Sequence, residues 1–198
     1  MVAINYKNAT VNLAEDVYEP AEDSFLLANA ALSTATNGMK VLEIGTGSGF
    51  VSAVIQANKN IELIATEINP FAAKCARSNG VKVIKTDMFA GIKEKNEFDL
   101  IIFNPPYLPT SEDEKVPGWL NYAFDGGITG RDPIRPFLLN VRNYLKTEGT
   151  ILLLVSSLTS IDDVKNEMSE FYFDSHIIAR DKCSFEELVV IKGNLRKV

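Results

Sequence analysis

Short β-rich runs alternate with helical segments along most of this chain, and that alternation restricts the possible folds more than any other feature. Several of the runs are apolar at consecutive positions, as strands covered on both faces are. Strands that alternate with helices form a parallel sheet with right-handed crossovers, so the pattern predicts an α/β, doubly wound fold. The five runs are residues 40–44, 61–66, 81–85, 98–103 and 150–155.

The pattern changes after residue 170, where two β-rich runs follow each other with no space for a helix. The runs cover residues 171–179 and 185–192, and residues 180–184 join them. They predict an antiparallel hairpin that completes a mostly parallel, seven-stranded, Rossmann-like sheet. Helix starts are indicated at Asn69-Pro70 and Asp132-Pro133, where a capping residue is followed by proline in the first turn.

Length and charge narrow the class of protein. The chain has 198 residues and a formal net charge of -6, which predicts one domain over residues 1–198 and disfavours a nucleic-acid partner. No run of 18 apolar residues and no leader-like N-terminus occur, so we expect a cytoplasmic protein without a membrane partner. Cys75 and Cys183 are far apart and His176 is the only histidine, so we predict no metal site.

A glycine-rich turn follows the first predicted strand. Residues 41–49 pass from that strand through Gly45-Thr46-Gly47-Ser48-Gly49 into a predicted helix. Glycines at 45 and 47 let a ligand lie against the main chain, where the helix N-terminus offers amide donors. The spacing differs from the dehydrogenase fingerprint, because Phe50 stands where that fingerprint requires glycine or alanine. Alone, the turn fits either a ligand site or a tight connection.

Acidic residues lie at the carboxyl ends of three successive predicted strands: Glu43, Glu67 and Asp87. In a parallel sheet these ends line one crevice, in which ligands bind. Carboxylates suit hydroxyl and amine donors better than a pyrophosphate, so S-adenosylmethionine fits better than a nicotinamide dinucleotide. We expect Glu67 on the ribose hydroxyls, Asp87 near the adenine amine and Glu43 near the amino-acid end. Met88 either lines the adenine pocket or belongs to the core.

The fourth predicted strand ends in Asn104-Pro105-Pro106-Tyr107. The prolines stop the strand and lack N–H donors. The Asn104 side-chain oxygen and the Pro105 carbonyl can then accept both hydrogens of a planar NH₂ group, on which Tyr107 can stack. Holding both protons aims the nitrogen lone pair at a sulfonium methyl group by positioning and electrostatics. We assign Asn104, Pro105 and Tyr107 to catalysis and Asn104, Pro106 and Tyr107 to substrate binding.

With these motifs the chain resembles the class I S-adenosylmethionine-dependent methyltransferases, and among them the HemK-like enzymes that methylate a glutamine of peptide-chain release factors. The resemblance rests on residues 41–49 and 104–107, and on Val17-Tyr18-Glu19-Pro20-Ala21-Glu22-Asp23-Ser24-Phe25-Leu26-Leu27. That last segment is similar to the signature of the archaeal and eukaryotic branch. Residues 126–131 are similar to the family's segment after its catalytic motif.

The resemblance implies that the donor is S-adenosylmethionine and that the acceptor is the glutamine amide of a Gly-Gly-Gln motif in a release factor. It also implies that Asn104 holds the glutamine and that the donor is contacted by Ser24, Glu43, Gly45, Glu67 and Asp87. From the glycine turn and the segment after the third strand we add Gly47 and Met88 to the predicted donor contacts. Family members of this branch often work with a small zinc-binding activator protein, for which the predicted edge strand 81–85 is a docking site.

Three alternatives stay open at this point. Asn-Pro-Pro-Tyr also serves enzymes that methylate exocyclic amines of adenine or guanine, although those usually carry a basic cleft or a recognition domain. Methylation of protein lysines is a second possibility, and a non-catalytic adaptor is a third. We further expect residues 1–36 to cover the donor site and the long connection 108–131 to form an ordered substrate loop.

Overall fold

The computed structural model describes residues 2–115 and 117–196 of the chain. Met1, Val116, Lys197 and Val198 belong to the predicted domain, and Val116 to the predicted substrate loop, but they lie outside the described residues. The strands are β1 (Ala3–Tyr6), β2 (Ala9–Asn12), β3 (Lys40–Ile44), β4 (Glu62–Glu67), β5 (Val83–Lys85), β6 (Phe98–Phe103), β7 (Leu145–Ser156), β8 (Phe173–Lys182) and β9 (Glu187–Leu195). The helices are α1 (Glu22–Thr34), α2 (Phe50–Asn58), α3 (Pro70–Ser78), α4 (Ile134–Val141) and α5 (Ile161–Glu170).

Seven strands form one twisted sheet in the order β5-β4-β3-β6-β7-β9-β8. The first five strands in this order pair in parallel, and β9 pairs antiparallel with both β7 and β8. The predicted fold class is therefore confirmed. No helix in the described ranges is long and apolar enough to cross a membrane.

The central strands are buried on both faces, which explains their continuous apolar runs. Along β6, Leu100 and Ile102 belong to a core shared with α1, α2 and α3, while Ile101 and Phe103 belong to a second core shared with α4 and α5. Because successive side chains of a strand point to opposite faces, a strand between two helix layers is apolar at consecutive positions where both faces are covered.

Several predicted boundaries are wrong. The edge strand starts at Val83 rather than at residue 81, because Gly80 and Val81 close α3 by donating to Arg77 and Ala76 carbonyls, a Schellman cap. The hairpin turn lies at 183–186 rather than at 180–184, so both of its strands lie further along the chain than predicted. The strand predicted at 150–155 extends over Leu145–Ser156.

The two predicted helix starts have different outcomes. Asn69 caps α3, since its side-chain oxygen accepts from the N–H groups of Phe71 and Ala72 at 2.9 and 3.4 Å, and Pro70 opens the helix. Asp132 is not a cap: α4 starts at Ile134, its N-cap position is Pro133, and no side chain of the described residues caps its first amides.

A small N-terminal hairpin was not predicted. Strands β1 and β2 pair around a turn at Lys7 and Asn8, both of which have positive φ. The hairpin packs on α1 and α2 through Tyr6. The ring centroid of Tyr6 lies 4.9 Å from that of Phe25 and 5.8 Å from that of Phe50. The segment after it is fixed to the sheet, because the Asn69 side chain donates to the Asp16 carbonyl at 2.9 Å.

The outer edge of the sheet at β5 carries a side-chain contact on its backbone. The Arg77 guanidinium donates from Nε and Nη2 to the Val83 carbonyl at 3.2 and 3.0 Å. Lys82 and Thr86 form the ladder bonds to β4. Since backbone groups alternate in direction along a strand, the N–H groups of Val83 and Lys85 point away from the sheet.

Candidate active site

A cavity of about 840 Å³ opens at the carboxyl ends of β3, β4 and β6, within the size range of small-molecule sites. The structure brings every predicted site residue to its wall. These residues are Ser24, Glu43, Gly45, Gly47, Glu67, Asp87, Met88, Asn104, Pro105, Pro106 and Tyr107. No cluster of three or more possible metal-ligating side chains occurs within residues 2–115 and 117–196.

Glu67 joins the glycine turn to the loop after β4. One carboxylate oxygen accepts from the Gly47 N–H at 2.8 Å, and the other accepts from the Asn69 N–H at 2.9 Å. Gly47 has a φ of 59°, a left-handed conformation that glycine adopts without strain and that turns its N–H toward Glu67. Burial raises the pKa of Glu67, and these backbone donors oppose the rise.

Glu43 is buried beneath the same turn. Its Oε2 accepts from the Thr46 hydroxyl at 2.7 Å and from the Ser52 hydroxyl, and only 3% of the residue is exposed. Burial raises its pKa from an ordinary value of 4.5 to about 7, although both hydroxyl donors act in the opposite direction.

This raised pKa predicts a pH-dependent stability. Between pH 4.5 and about 7 the folded state holds a proton on Glu43 that the unfolded chain releases, so the free energy of unfolding falls as pH rises. We expect Glu43→Gln to gain stability relative to wild type at about pH 7.5 but not at about pH 5, as measured by urea unfolding. An equal stability difference at both pH values would contradict the assignment.

Asp87 and Met88, the remaining predicted donor contacts at the strand ends, differ in exposure. Asp87 follows β5 and is exposed at the cavity rim, whereas Met88 is half-buried and reaches both the cavity and the core shared with α4 and α5. Met88 therefore contacts the core and also lines the cavity, and its contact with adenine stays a prediction. Met88 also has a φ of 39°, which is uncommon for a non-glycine residue.

Asn104 directly follows β6, and its amide is oriented by Asp23, a residue for which no role was predicted. Its Nδ2 donates to Oδ2 of Asp23 at 2.8 Å, and its Oδ1 is buried without a hydrogen-bond partner among the described residues. A buried acceptor without a partner costs free energy, which a hydrogen bond from a donor outside the chain would offset.

The cavity wall near the long loop is aromatic. Tyr18 and Phe124 meet edge to face with ring centroids 5.5 Å apart, and Trp119 lies 5.3 Å from Tyr122 in the long loop. Burial, together with the charge of Asp23, raises the pKa of the Tyr107 phenol, which keeps it neutral.

The predicted substrate loop is ordered in its described part. It contains 3₁₀ turns at Glu112–Glu114 and Trp119–Ala123, and Leu108 exchanges backbone bonds of 3.0 Å with Phe124 and Gly126. Gly130 packs so closely that a Cβ there would lie 2.4 Å from the Tyr107 carbonyl oxygen. The loop therefore returns to brace the motif that it follows.

Known proteins show the same organisation. Residues 21–117 match the methyltransferase small domain model. Over 196 residues the chain is 40% identical to "Putative protein N5-glutamine methyltransferase MJ0928" of Methanocaldococcus jannaschii, covering 96% of this chain and 98% of that protein. It is 40% identical to Methyltransferase HEMK2 of Mus musculus over 153 residues, or 67% of this chain and 72% of that protein. The chain belongs to the N5-glutamine methyltransferase family.

The solved structure of Mtq2 from E. cuniculi has the same fold as this chain. It superposes with a TM-score of 0.75 at 26% identity and covers 91% of this chain and 99% of that one. The chain is accordingly an S-adenosylmethionine-dependent methyltransferase. The cavity fits this donor, since buried and rim carboxylates supply acceptors for its hydroxyl and amine groups.

Proposed function

We propose that this enzyme methylates the side-chain amide nitrogen of the glutamine in the Gly-Gly-Gln motif of a peptide-chain release factor. The observation that carries the proposal is that Asn104 lines the cavity and that its buried Oδ1 has no partner among the described residues. An uncharged NH₂ group is the donor that such an oxygen suits, whereas a lysine ammonium would require a base to deprotonate it.

The acceptor residues act by holding protons. Asn104 Oδ1 accepts one N–H of the glutamine amide, the Pro105 carbonyl accepts the other, and Pro106 and Tyr107 pack against the flat amide group. With both protons held, the nitrogen lone pair is free to attack. Neutral Tyr107 adds an apolar face without a competing charge, and the proton released afterwards passes to solvent.

The donor residues bind S-adenosylmethionine, which when bound supplies a methyl group on a positively charged sulfur. Glu67 accepts from the ribose hydroxyls, Asp87 from the adenine amine and Glu43 from the amino group, while Met88 packs against the adenine. The proposed donor contacts are completed by Ser24, Gly45 and Gly47. In this proposal the described residues of the segment 1–36 cover this half of the cavity, and those of the loop 108–131 border the acceptor half, within one domain.

Two relatives support a release factor as the proposed substrate. The catalytic subunit mtq2 of Schizosaccharomyces pombe is named as an eRF1 methyltransferase and is 26% identical over 90% of this chain and 89% of its own length. The Mtq2–Trm112 complex of E. cuniculi is described as responsible for methylation of the eRF1 translation termination factor. Because release factors act in translation, we propose that the enzyme is cytoplasmic.

Mass spectrometry of methylated products tests the proposal. Purified enzyme and donor are incubated with a release factor, with the same factor carrying Gln→Ala in its Gly-Gly-Gln motif, and with tRNA and DNA under the same salt condition. We expect a gain of one methyl group on the Gly-Gly-Gln peptide of the intact factor. Methylation of nucleic acid alone, or of a lysine in the factor, would contradict the proposal.

We also propose that a small zinc-binding activator of the Trm112 type docks on the β5 edge. Within the described part of the chain this edge pairs only with β4, and Lys85 directs its N–H away from the sheet. Ile84 is half-buried beside it and Phe71 on α3 is 47% exposed, so an added strand would find both a backbone donor and apolar contacts.

Lys85→Pro tests that docking site. Proline removes the outward N–H but none of the observed bonds to β4, so we expect complex formation with a Trm112-type protein to fall at least about tenfold while the fold is kept. Lys85→Ala, which keeps the N–H, is the matched control. Affinity is measured by calorimetry, and equal binding by both variants would contradict docking at this edge.

A further inference from the structure

We infer that Asp23 is a positioning residue that fixes which end of the Asn104 amide faces the substrate. This inference rests on the proposed function, in which Asn104 accepts a proton-bearing group of the acceptor. It adds a requirement that the Asn-Pro-Pro-Tyr motif does not contain, namely a carboxylate 81 residues earlier in the chain.

The contact between the two residues is short and sheltered. Asp23 lies in the first turn of α1 and is 3% exposed, and its Oδ2 accepts from Asn104 Nδ2 at 2.8 Å. An ionised carboxylate can only accept hydrogen bonds. The amide must therefore present its nitrogen to Asp23, and its buried oxygen is left without a partner among the described residues.

The other oxygen of Asp23 is fully occupied, which stops the carboxylate from turning. Its Oδ1 accepts from the Ser24 N–H at 2.6 Å, from the Ser24 hydroxyl at 3.1 Å and from the Tyr18 hydroxyl at 3.0 Å. These donors come from α1 itself and from the segment before it. The orientation of the Asn104 side-chain amide is thus set by a chain of hydrogen bonds that starts at the N-terminus of α1.

Flipping the Asn104 amide would place its oxygen against Asp23 Oδ2 and its NH₂ group against an incoming NH₂. Both contacts are repulsive, so a flipped amide neither satisfies Asp23 nor binds the acceptor. An asparagine with no fixed partner would sample both orientations. Asp23 removes the unproductive one before the substrate arrives, which is preorganisation of the site.

Asp23→Asn tests the inference because it keeps the shape and changes only the donor pattern. In this variant the Ser24 N–H retains the oxygen of the substituted side chain, whose NH₂ group then faces Asn104 and forces the Asn104 amide to flip. We expect kcat/KM on a Gly-Gly-Gln peptide to fall about 10- to 100-fold, while the donor Kd changes less than about threefold. Glu22→Gln removes a charge from the same helical turn and serves as the matched control, with unchanged kinetics.

A second substitution separates positioning from folding. When Asp23→Asn is combined with Asn104→Asp, the new amide at position 23 donates to one oxygen of the new carboxylate at position 104. The other oxygen of that carboxylate again faces the acceptor. We expect kcat/KM to recover at least about tenfold over Asp23→Asn alone, which a merely structural role of Asp23 would not produce. No recovery, or a wild-type rate in Asp23→Asn, would overturn the inference.

The hydrogen bond is also measured without substrate. The side-chain amide resonances of Asn104 in the ¹H–¹⁵N spectrum should shift upfield in Asp23→Asn and stay unchanged in Glu22→Gln; unshifted resonances in both variants would overturn the inference. A wild-type enzyme that leaves the Gly-Gly-Gln peptide unmethylated, but shows the expected shift, contradicts the proposed function and not the Asp23–Asn104 contact.

Discussion

Asn104→Ala is expected to lower kcat about 10²- to 10³-fold while the Kd for S-adenosylmethionine stays within about threefold of wild type. The substitution removes a buried acceptor that has no partner among the described residues, together with its amide's bond to Asp23. It leaves the carboxylates at the other half of the cavity in place. Single-turnover kinetics with a release factor and calorimetry with the donor measure the two effects separately.

Asn140→Ala is the matched control for this prediction. Asn140 also carries a side-chain amide that donates a hydrogen bond, to the Pro136 carbonyl at 2.8 Å, but it lies on α4 away from the cavity. A variant at position 104 that turns over at the wild-type rate would contradict our site assignment. So would one in which donor binding and turnover fall by the same factor.

Glu67→Ala is expected to weaken donor binding at least about 100-fold, because two effects combine. The variant loses the proposed acceptor for the ribose hydroxyls, and it leaves the N–H groups of Gly47 and Asn69 without their carboxylate partner. Each unpaired buried donor carries a desolvation cost. The glycine turn and the loop after β4 then lose their common anchor.

Glu62→Ala is the matched control, since Glu62 begins the strand that Glu67 ends but is exposed at the opposite side of the sheet. Calorimetry with S-adenosylmethionine gives the affinities, and circular dichroism shows whether each variant is folded. Comparable donor affinity in Glu67→Ala and Glu62→Ala would contradict a donor role for Glu67.

The sheet was predictable because its strands carry their own signal. Buried parallel strands carry apolar residues at consecutive positions, and those at 40–44 and 98–103 were predicted with their observed bounds. Two kinds of error arose. Val81 is apolar because it closes a helix, so composition alone placed it in a strand. The β1–β2 hairpin has only four residues in each strand and a Lys7-Asn8 turn, which gives no strong turn signal.

The meeting of Glu43 and Glu67 at the cavity was easier to predict than the position of Asp23. Glu43 and Glu67 end adjacent strands, so sheet topology alone brings them together. Asp23 is different, because its contact with Asn104 depends on how α1 packs across the end of the sheet. The only signal was an aspartate inside the segment 17–27, where a charged residue at a helix start has an ordinary explanation.

The Arg77 guanidinium already donates to the Val83 carbonyl oxygen, so it competes with any other strand that would bond to β5 through that oxygen. Any incoming strand that needs this oxygen must displace a side chain already bonded to it. If two copies of the chain paired at this edge, Arg77 would be displaced from the Val83 carbonyl in both copies. If a dissimilar subunit paired there, Arg77 would be displaced in one copy only. A single arginine thus disfavours edge-to-edge pairing of two copies more than pairing with one dissimilar strand.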